Sequence, residues 1–372
     1  MLRAMFTSRS RLMLLAAHPD DESLACSVLL QRAVGAGAAI RVVYLTDGEN
    51  NPWPQRVLER KWRLTESDRR RWGALRRAEA IAALESLGVG EASISFLGLP
   101  DQRLTEELIS NSERVVKNVT ELVDEWSPTH LFASSVFDIH PDHSALGVLL
   151  RLVADNSSES TVSFWSYLVH GDSPAFRDRA RSIGQTTKES EIKLRSIGCH
   201  RTQVRLFGKR FWNHARRPER FVNLDSDEAI ADGGIVASVS RDARMLSLKL
   251  ERPLRPVPPR KPTLLILGYG EDSTVSCLKM DIPARASAFD VRDVRTGRVM
   301  TRGRYWGGAF AGNLEVPLTT FAPDRPLFIK AERRGWFFDE AGWLELGPCA
   351  VQEGWREPAT REDLALLSNR GG

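Results

Sequence analysis

"RLMLLAAHPDDESLA", Arg11 to Ala25, is the stretch whose reading decides the fold. Its apolar run has no helical spacing and reads as a short strand buried on both faces. "HPDDE", His18 to Glu22, then crowds a histidine and three carboxylates where that strand ends. Carboxylates this close repel one another unless a cation offsets them. On a parallel sheet, ligands bind outside the C-terminal ends of the strands.

Working outward, strand and helix patterns alternate. Glu22 to Val34 reads as a helix stopped by Gly35 and Gly37, and IRVVYLTDG (Ile40 to Gly48) as a second strand. WGALRRAEAIAALESLGV (Trp72 to Val89) carries apolar residues at helical spacing, with Gly88 suited to its C-terminal cap. ASISFLGLP, THLFASSV and TVSFWSYLVH read as strands, and Glu106 to Trp126 and Ala145 to Ala154 as helices. The alternation predicts an α/β fold, a Rossmann-like mostly parallel sheet with helices on both faces. From about Gly234 the helical periods give way to short strand-like runs such as TLLILG, TVSCLKMDI, RPLFIKA and GWLELG. They predict an all-β, sandwich-like C-terminal domain. The expected division is residues 1–233 and 234–372, with the proline-rich Glu251 to Pro262 as a linker or edge segment.

The 372 residues carry a net charge of +4, which is too little to mark a nucleic-acid-binding protein. Cys26, Cys199, Cys277 and Cys349 form no CxxC pair. That argues against a cysteine zinc site or a disulfide framework and for a reducing compartment. Leu12 to Ala17 is too short for a signal peptide's apolar core or a membrane span, so the expected location is cytoplasmic. All seven histidines precede residue 215, which confines histidine chemistry to the α/β half.

Three features fall on one rim of the expected sheet: His18 to Glu22, Thr46-Asp47-Gly48, and Asp138-Ile-His140-Pro-Asp142-His143. Two histidines and a carboxylate with an open position for water form a common catalytic zinc set. A helix cap at Asp20 or Asp21, or an unrelated surface HxxH, is the plainer alternative; the two histidine motifs, each after a strand, favour the metal.

At these residues the chain resembles the LmbE-like, or PIG-L-like, deacetylases. The resemblance rests on AHPDDE (Ala17 to Glu22), YLTDGE (Tyr44 to Glu49), RRAEAIAALESLGV (Arg76 to Val89), FLGLPDQRL (Phe96 to Leu104), HPDHSALG (His140 to Gly147) and KLRSIGCHRTQ (Lys193 to Gln203). It covers roughly residues 10–225 and implies a zinc-dependent hydrolase that removes the N-acetyl group from an N-acetylglucosamine-type conjugate. It further implies His18, Asp21 and His143 as ligands of one Zn2+, Asp20 as general base, and His140 as the group that stabilises the oxyanion. Arg76 and Asp101 match positions that touch the sugar. Glu22 reads as a helix-start residue or a partner behind the ligands, and Asp142 as a residue that orients a ligand histidine.

Two segments depart from the family pattern. Between residues 50 and 73 lies a long connection punctuated by Trp53, Trp62 and Trp72, and Arg56 to Arg77 holds nine basic residues against three acidic. Indoles stack on sugar faces and arginines bind phosphates, so this reads as a lid over an anionic glycan or a lipid-phosphate-linked sugar. A solvated helical insertion is the alternative, and peripheral contact with an anionic membrane stays open. The all-β half lies outside the resemblance. His170 is expected to line the cleft and orient substrate, His200 to anchor a helix, His130 to be structural and His214 to be exposed. The expected partner is an acetamido sugar, with lipid- or phosphate-linked forms open, and no nucleic acid. Two alternatives are an amidase acting on another N-acyl sugar or thiol conjugate and a non-catalytic carbohydrate-binding protein. The latter predicts loss of Asp20 or a ligand, and all are present. A dinucleotide enzyme needs GxGxxG where HPDDE stands.

Overall fold

The computed structural model describes residues 5–157, 161–224, 234–251, 262–332 and 338–349. Residues 252–261, the bulk of the proline-rich segment, lie outside them. Strands β1 (Arg11–Ala16), β2 (Ala39–Thr46), β3 (Ile94–Leu99), β4 (His130–Ser134) and β5 (Ser163–Tyr167) pair in parallel in the order β3-β2-β1-β4-β5. Strands β6 (Arg181–Ile183) and β7 (Glu219–Asn223) extend that edge antiparallel, β7 against β5 and β6 outermost. The strand order reverses at β1 and β4, which opens a crevice at their C-terminal ends.

Helices α1 (Asp21–Ala25), α2 (Ser27–Gly35), α3 (Pro52–Glu59), α4 (Glu66–Ser86), α5 (Leu104–Ser110), α6 (Ser112–Trp126), α7 (Pro141–Asn156), α8 (Pro174–Arg179), α9 (Thr187–Cys199) and α10 (Arg201–Ala215) complete this half. The apolar run of β1 is sorted by the pleat. Leu12, Leu14 and Ala16 join the core under α1, α2, α4, α9 and α10, while Met13, Leu15 and Ala17 join the core under α5 to α7. Each fully buried leucine contributes about 1.5–3 kcal/mol.

Two expected helices are each divided in two. The chain breaks at Cys26 because Glu219 of β7 accepts from the N–H groups of Val28 (2.9 Å) and Leu29 (3.0 Å), giving α2 its own N-terminus. It breaks again at Asn111, and Ser112 Oγ donates to the Val275 carbonyl 2.9 Å away in the second sheet. Helix α4 starts earlier than its apolar pattern, at a capping box between Thr65 and Asp68. Its end is closed by Gly88 N–H on Glu85 O and Val89 N–H on Leu84 O, the pairing expected of a glycine cap.

Strands β8 (Val236–Arg241), β9 (Met245–Glu251), β10 (Thr263–Tyr269), β11 (Val275–Asp281), β12 (Ser287–Asp293), β13 (Val299–Gly307), β14 (Ala311–Pro317), β15 (Leu327–Glu332) and β16 (Leu344–Leu346) form one antiparallel sheet. Its order is β16-β15-β10-β11-β12-β13-β14-β9-β8. The β-rich expectation therefore holds, but the two packed sheets of a sandwich do not form among the described residues. Leu264 and Ile266 of β10 share a core with Leu314 and Val316 of β14, so a single sheet curls around its own interior. The alternate residues Leu265, Leu267, Tyr269 and Cys277 face the other way and pack into the core beneath α5 to α7. No described helix is long and apolar enough to cross a membrane.

Candidate metal centre and cavity

The crevice brings the HPDDE turn after β1 against the HPDH turn that opens α7. His18 N–H donates to Asp21 Oδ2 (3.0 Å), which folds the turn back on itself. His18 Nδ1 lies 2.9 Å from His143 Nε2, and His143 Nε2 lies 3.2 Å from Asp21 Oδ1. The remaining ring nitrogens are held from outside. His18 Nε2 sits 3.1 Å from Asp101 Oδ1 and 3.2 Å from Asp142 Oδ2, and His143 Nδ1 sits 3.1 Å from Asp138 Oδ2. Carboxylates accept, so both outer nitrogens carry the N–H. In the neutral rings this leaves lone pairs on His18 Nδ1 and His143 Nε2 facing each other beside Asp21 Oδ1 in a buried place, an arrangement that a proton or a metal cation relieves.

The electrostatics tell the same story. Burial opposes charge on His143, yet Asp21 and Asp138 overcome it and push the imidazole up to about 10. Burial likewise opposes charge on His18, which Asp101 and Asp142 nonetheless hold well above its ordinary value. Burial works against the Asp21 carboxylate too, but His143 and His18 hold it far below the usual range. Three histidine atoms, from His18, His140 and His143, lie within 4.8 Å of one another, as do atoms of His18, Asp101 and Asp142. The second group is already engaged: Asp142 accepts from Gln102 N–H (2.7 Å) and Leu104 N–H (3.0 Å), and Asp101 from Asn50 N–H (2.7 Å). His143 Nε2 thus has His18 Nδ1 at 2.9 Å and Asp21 Oδ1 at 3.2 Å, and imidazole and carboxylate donors of this kind suit zinc.

Asp20 stands beside this set and lines a cavity of about 220 Å3 with His18, His140 and His170. Its Oδ2 accepts from Arg76 Nη2 (2.9 Å), which also donates to the Pro19 carbonyl (2.9 Å), while Arg76 Nη1 donates to the Gly48 carbonyl (2.8 Å). Gly48 has φ +64°, and a side chain there would overlap the Arg76 guanidinium. Burial, assisted by Asp21 and opposed by Arg76, pushes the Asp20 carboxyl up to about 6. His140 caps α7, its Nδ1 accepting from Asp142 N–H at 3.2 Å, so a neutral ring carries its proton on Nε2. Burial and the neighbouring histidine cations hold that ring well below its ordinary pKa.

The other expected residues are also placed. Glu22 lies in the first turn of α1 and is wholly buried, with Oε1 2.8 Å from His200 Nε2 and accepting from Ser23 Oγ at 2.6 Å. His200 thereby ties α1 to the junction of α9 and α10. Arg76 and Asp101 line the cavity, but their described hydrogen bonds go to protein groups, Arg76 to Asp20, Pro19 and Gly48, and Asp101 to His18, Asn50 and Glu49. His170 lines it too, its Nδ1 accepting from Arg210 Nη2 at 2.7 Å. Of the tryptophans in the insertion, Trp53 is 55% exposed and lines the cavity, Trp62 is 78% exposed and does not, and Trp72 is buried in the domain. Much of the basic charge is paired locally: Lys61 and Arg71 with Asp68, Arg70 with Glu66, and Arg71 with Glu59.

His214, expected to be exposed, is instead half-buried on the cavity wall, where burial lowers it to about 4. It comes with Phe207, Arg210 and Phe211 on α10. Asp138 received no role from the sequence, yet it accepts from His143 Nδ1, His140 N–H (2.9 Å), Val169 N–H (3.0 Å) and His170 N–H (3.0 Å). Its signal was available: a carboxylate two residues before the first histidine of the HPDH turn. Phe338, from the second sheet, carried none.

Residues 13–154 match the family model described as PIG-L: GlcNAc-PI de-N-acetylase, so this chain carries a domain of the PIG-L, LmbE-like family. Over 82 residues it is 42% identical to a 1D-myo-inositol 2-acetamido-2-deoxy-alpha-D-glucopyranoside deacetylase of Mycobacterium avium (strain 104), covering 22% of this chain and 26% of that protein. Over 148 residues it is 29% identical to a deacetylase of the same description from Corynebacterium glutamicum (strain R), covering 37% of this chain and 50% of that one. The matches thus span between a quarter and a half of those relatives. A solved N,N'-diacetylchitobiose deacetylase from Pyrococcus horikoshii is 20% identical with a TM-score of 0.45, over 58% of this chain and 84% of that chain.

Proposed function

We propose that this protein is a zinc-dependent hydrolase that removes the N-acetyl group from an N-acetylglucosamine-containing conjugate and releases acetate and a free amine. The observation that carries this reading is the convergence of His18 Nδ1, His143 Nε2 and Asp21 Oδ1, with Asp20 alongside in the cavity. In this reading His18, His143 and Asp21 hold the zinc. Zinc bound there supplies Lewis-acid polarisation of the amide carbonyl and lowers the pKa of water to about 7.

Asp20 takes a proton from the attacking water as its oxygen bonds to the carbonyl carbon. It then delivers that proton to the nitrogen as the C–N bond breaks. Arg76 keeps Asp20 oriented. His140 Nε2–H donates to the oxygen that gains negative charge, because its Nδ1 is occupied by Asp142 N–H. Asp101 and Asp142 fix the His18 ring, and Asp138 the His143 ring. The polar side of the cavity, with Asn51, Arg76, Asp101 and Gln102, receives the sugar, and Trp53 covers a ring face. A PIG-L domain and relatives described as acting on an acetamido sugar linked to inositol support that substrate class. We read the first sheet as Rossmann-like, the division as residues 1–233 and 234–372, and the setting as cytoplasmic, with four free cysteines favouring a reducing compartment. The test is Asp20→Ala: it keeps one zinc by metal analysis while amine release collapses, and wild-type activity in that variant would sink the base assignment.

A further inference from the structure

Among the described residues, the C-terminal half reaches the cavity through one short strap, residues 338–343. Lys330 on β15 is fully buried, yet it is a cation. Its Nζ lies 2.6 Å from Asp339 Oδ2, 3.2 Å from Ser144 Oγ on α7, and over the face of Trp343. Asp339 N–H donates to the Ile139 carbonyl (2.9 Å) and Trp343 N–H to the Val136 carbonyl (2.7 Å). Between them Gly342 packs so closely that any side chain would overlap the Val136 carbonyl oxygen. The strap is therefore fastened to the loop that carries Asp138 and His140.

That fastening delivers Phe338. Its ring stands edge-on to His140 (5.7 Å between centroids) and His170 (5.3 Å), with the Arg210 guanidinium over it at 5.1 Å. The strand order sorts the cavity around this point. Asn51, Trp53, Asp101 and Gln102 follow β2 and β3 on one side of β1, whereas His140 and His170 follow β4 and β5 on the other. The first side is polar and suits a polyol, and on the second the Phe338 ring stands against His140 and His170. A carbonyl whose oxygen meets His140 and whose nitrogen leads to the sugar must point its acyl carbon chain to this aromatic side.

We propose that Phe338, supplied by the C-terminal sheet, is the specificity-determining residue that limits the length of the acyl group removed. The proposal rests on the deacetylase reading above and extends it to the acyl side of the same site. The zinc-loaded full chain is assayed for amine release from N-acetyl-, N-butyryl- and N-hexanoylglucosamine. Wild type prefers acetyl. Phe338→Ala raises the hexanoyl-to-acetyl ratio of kcat/KM about tenfold, roughly 1.4 kcal/mol of discrimination. Phe338→Trp lowers the butyryl-to-acetyl ratio. Gly342→Ala, which displaces the strap without touching the cavity, shifts the profile in the same direction as Phe338→Ala. A uniform loss at all three lengths in folded Phe338→Ala, verified by its thermal melt, or an unmoved ratio, would overturn the proposal and leave the deacetylase reading standing. No turnover of any of the three by wild type would overturn both.

Discussion

Asp138→Asn puts the design of the metal centre under the sharpest test, because the four hydrogen bonds of Asp138 all run inward. Oδ2 accepts from His143 Nδ1, Val169 N–H and His170 N–H, and Oδ1 from His140 N–H. Asparagine has the same shape but offers one oxygen and one NH2 group. With the NH2 at the Oδ2 position three donors lose their acceptor, and with it at the Oδ1 position only His140 N–H does. The second orientation is therefore the one adopted, and one orphaned buried donor costs about 1–3 kcal/mol of stability. His143 keeps an acceptor, but a neutral one, and a charge-assisted bond is about twice as strong as its neutral counterpart. Mutating such an outer partner weakens metal affinity by about 10–100-fold. Zinc affinity is read by competition with a chromophoric chelator, and the stability of the metal-free protein by denaturant unfolding. A folded Asp138→Asn variant that binds zinc within twofold of wild type would refute the claim that the charge of the Asp138 carboxylate supports His143 as a ligand.

Three further outcomes are expected. Lys193→Met strands the buried Glu219 carboxylate, whose cation lies 2.8 Å away, and costs about 3–5 kcal/mol in urea unfolding; a loss under about 1 kcal/mol would assign Glu219 to capping α2 alone. Glu189 is held down at about 2 chiefly by its hydrogen bond to Arg32. Its folded pKa lies below the unfolded one, so its contribution is present above the unfolded value and fades as pH falls toward 2; stability measured against pH should lose part of its acid-side slope in Glu189→Gln. Trp53→Ala should raise KM for a glycoconjugate more than for a minimal acetamido sugar, whereas Trp62→Ala, away from the cavity, should leave both alone, and equal effects would return the insertion to a purely structural role.

The sheet of the first half was legible because its central strands β1, β2, β4 and β5 are largely buried and read as apolar or β-branched runs. The break at Cys26 was not, since apolar spacing continues through it and the cause is remote, a carboxylate on β7; the break at Asn111 falls in the polar run Ser110 to Arg114, where Ser112 meets the second sheet. That the HPDDE and HPDH turns meet could be read from the sequence, because both motifs follow strands that the topology makes neighbours; the particular set His18, Asp21 and His143 came from the family resemblance. What surrounds it could not be read. His214 sits on a helix whose face is chosen by how α10 packs over the crevice. Phe338 arrives from a strand order in which β15 and β16 lie at the edge nearest α7, and nothing local announces that contact. The interleaved tryptophans looked alike in sequence, yet packing buries Trp72 and leaves Trp62 in solvent.

The central claim is that the convergent nitrogens and carboxylate hold a zinc that works with Asp20 on an acetamide. The most direct measurement is acetate and free amine quantified together from an N-acetylglucosamine conjugate, with chelator-stripped protein and with the same protein after one equivalent of zinc. The account predicts equimolar acetate and amine that appear only on zinc addition and fall by about 100-fold or more in Asp20→Ala. Zinc-loaded protein that releases neither product, or stripped protein that releases both at the same rate, would contradict it.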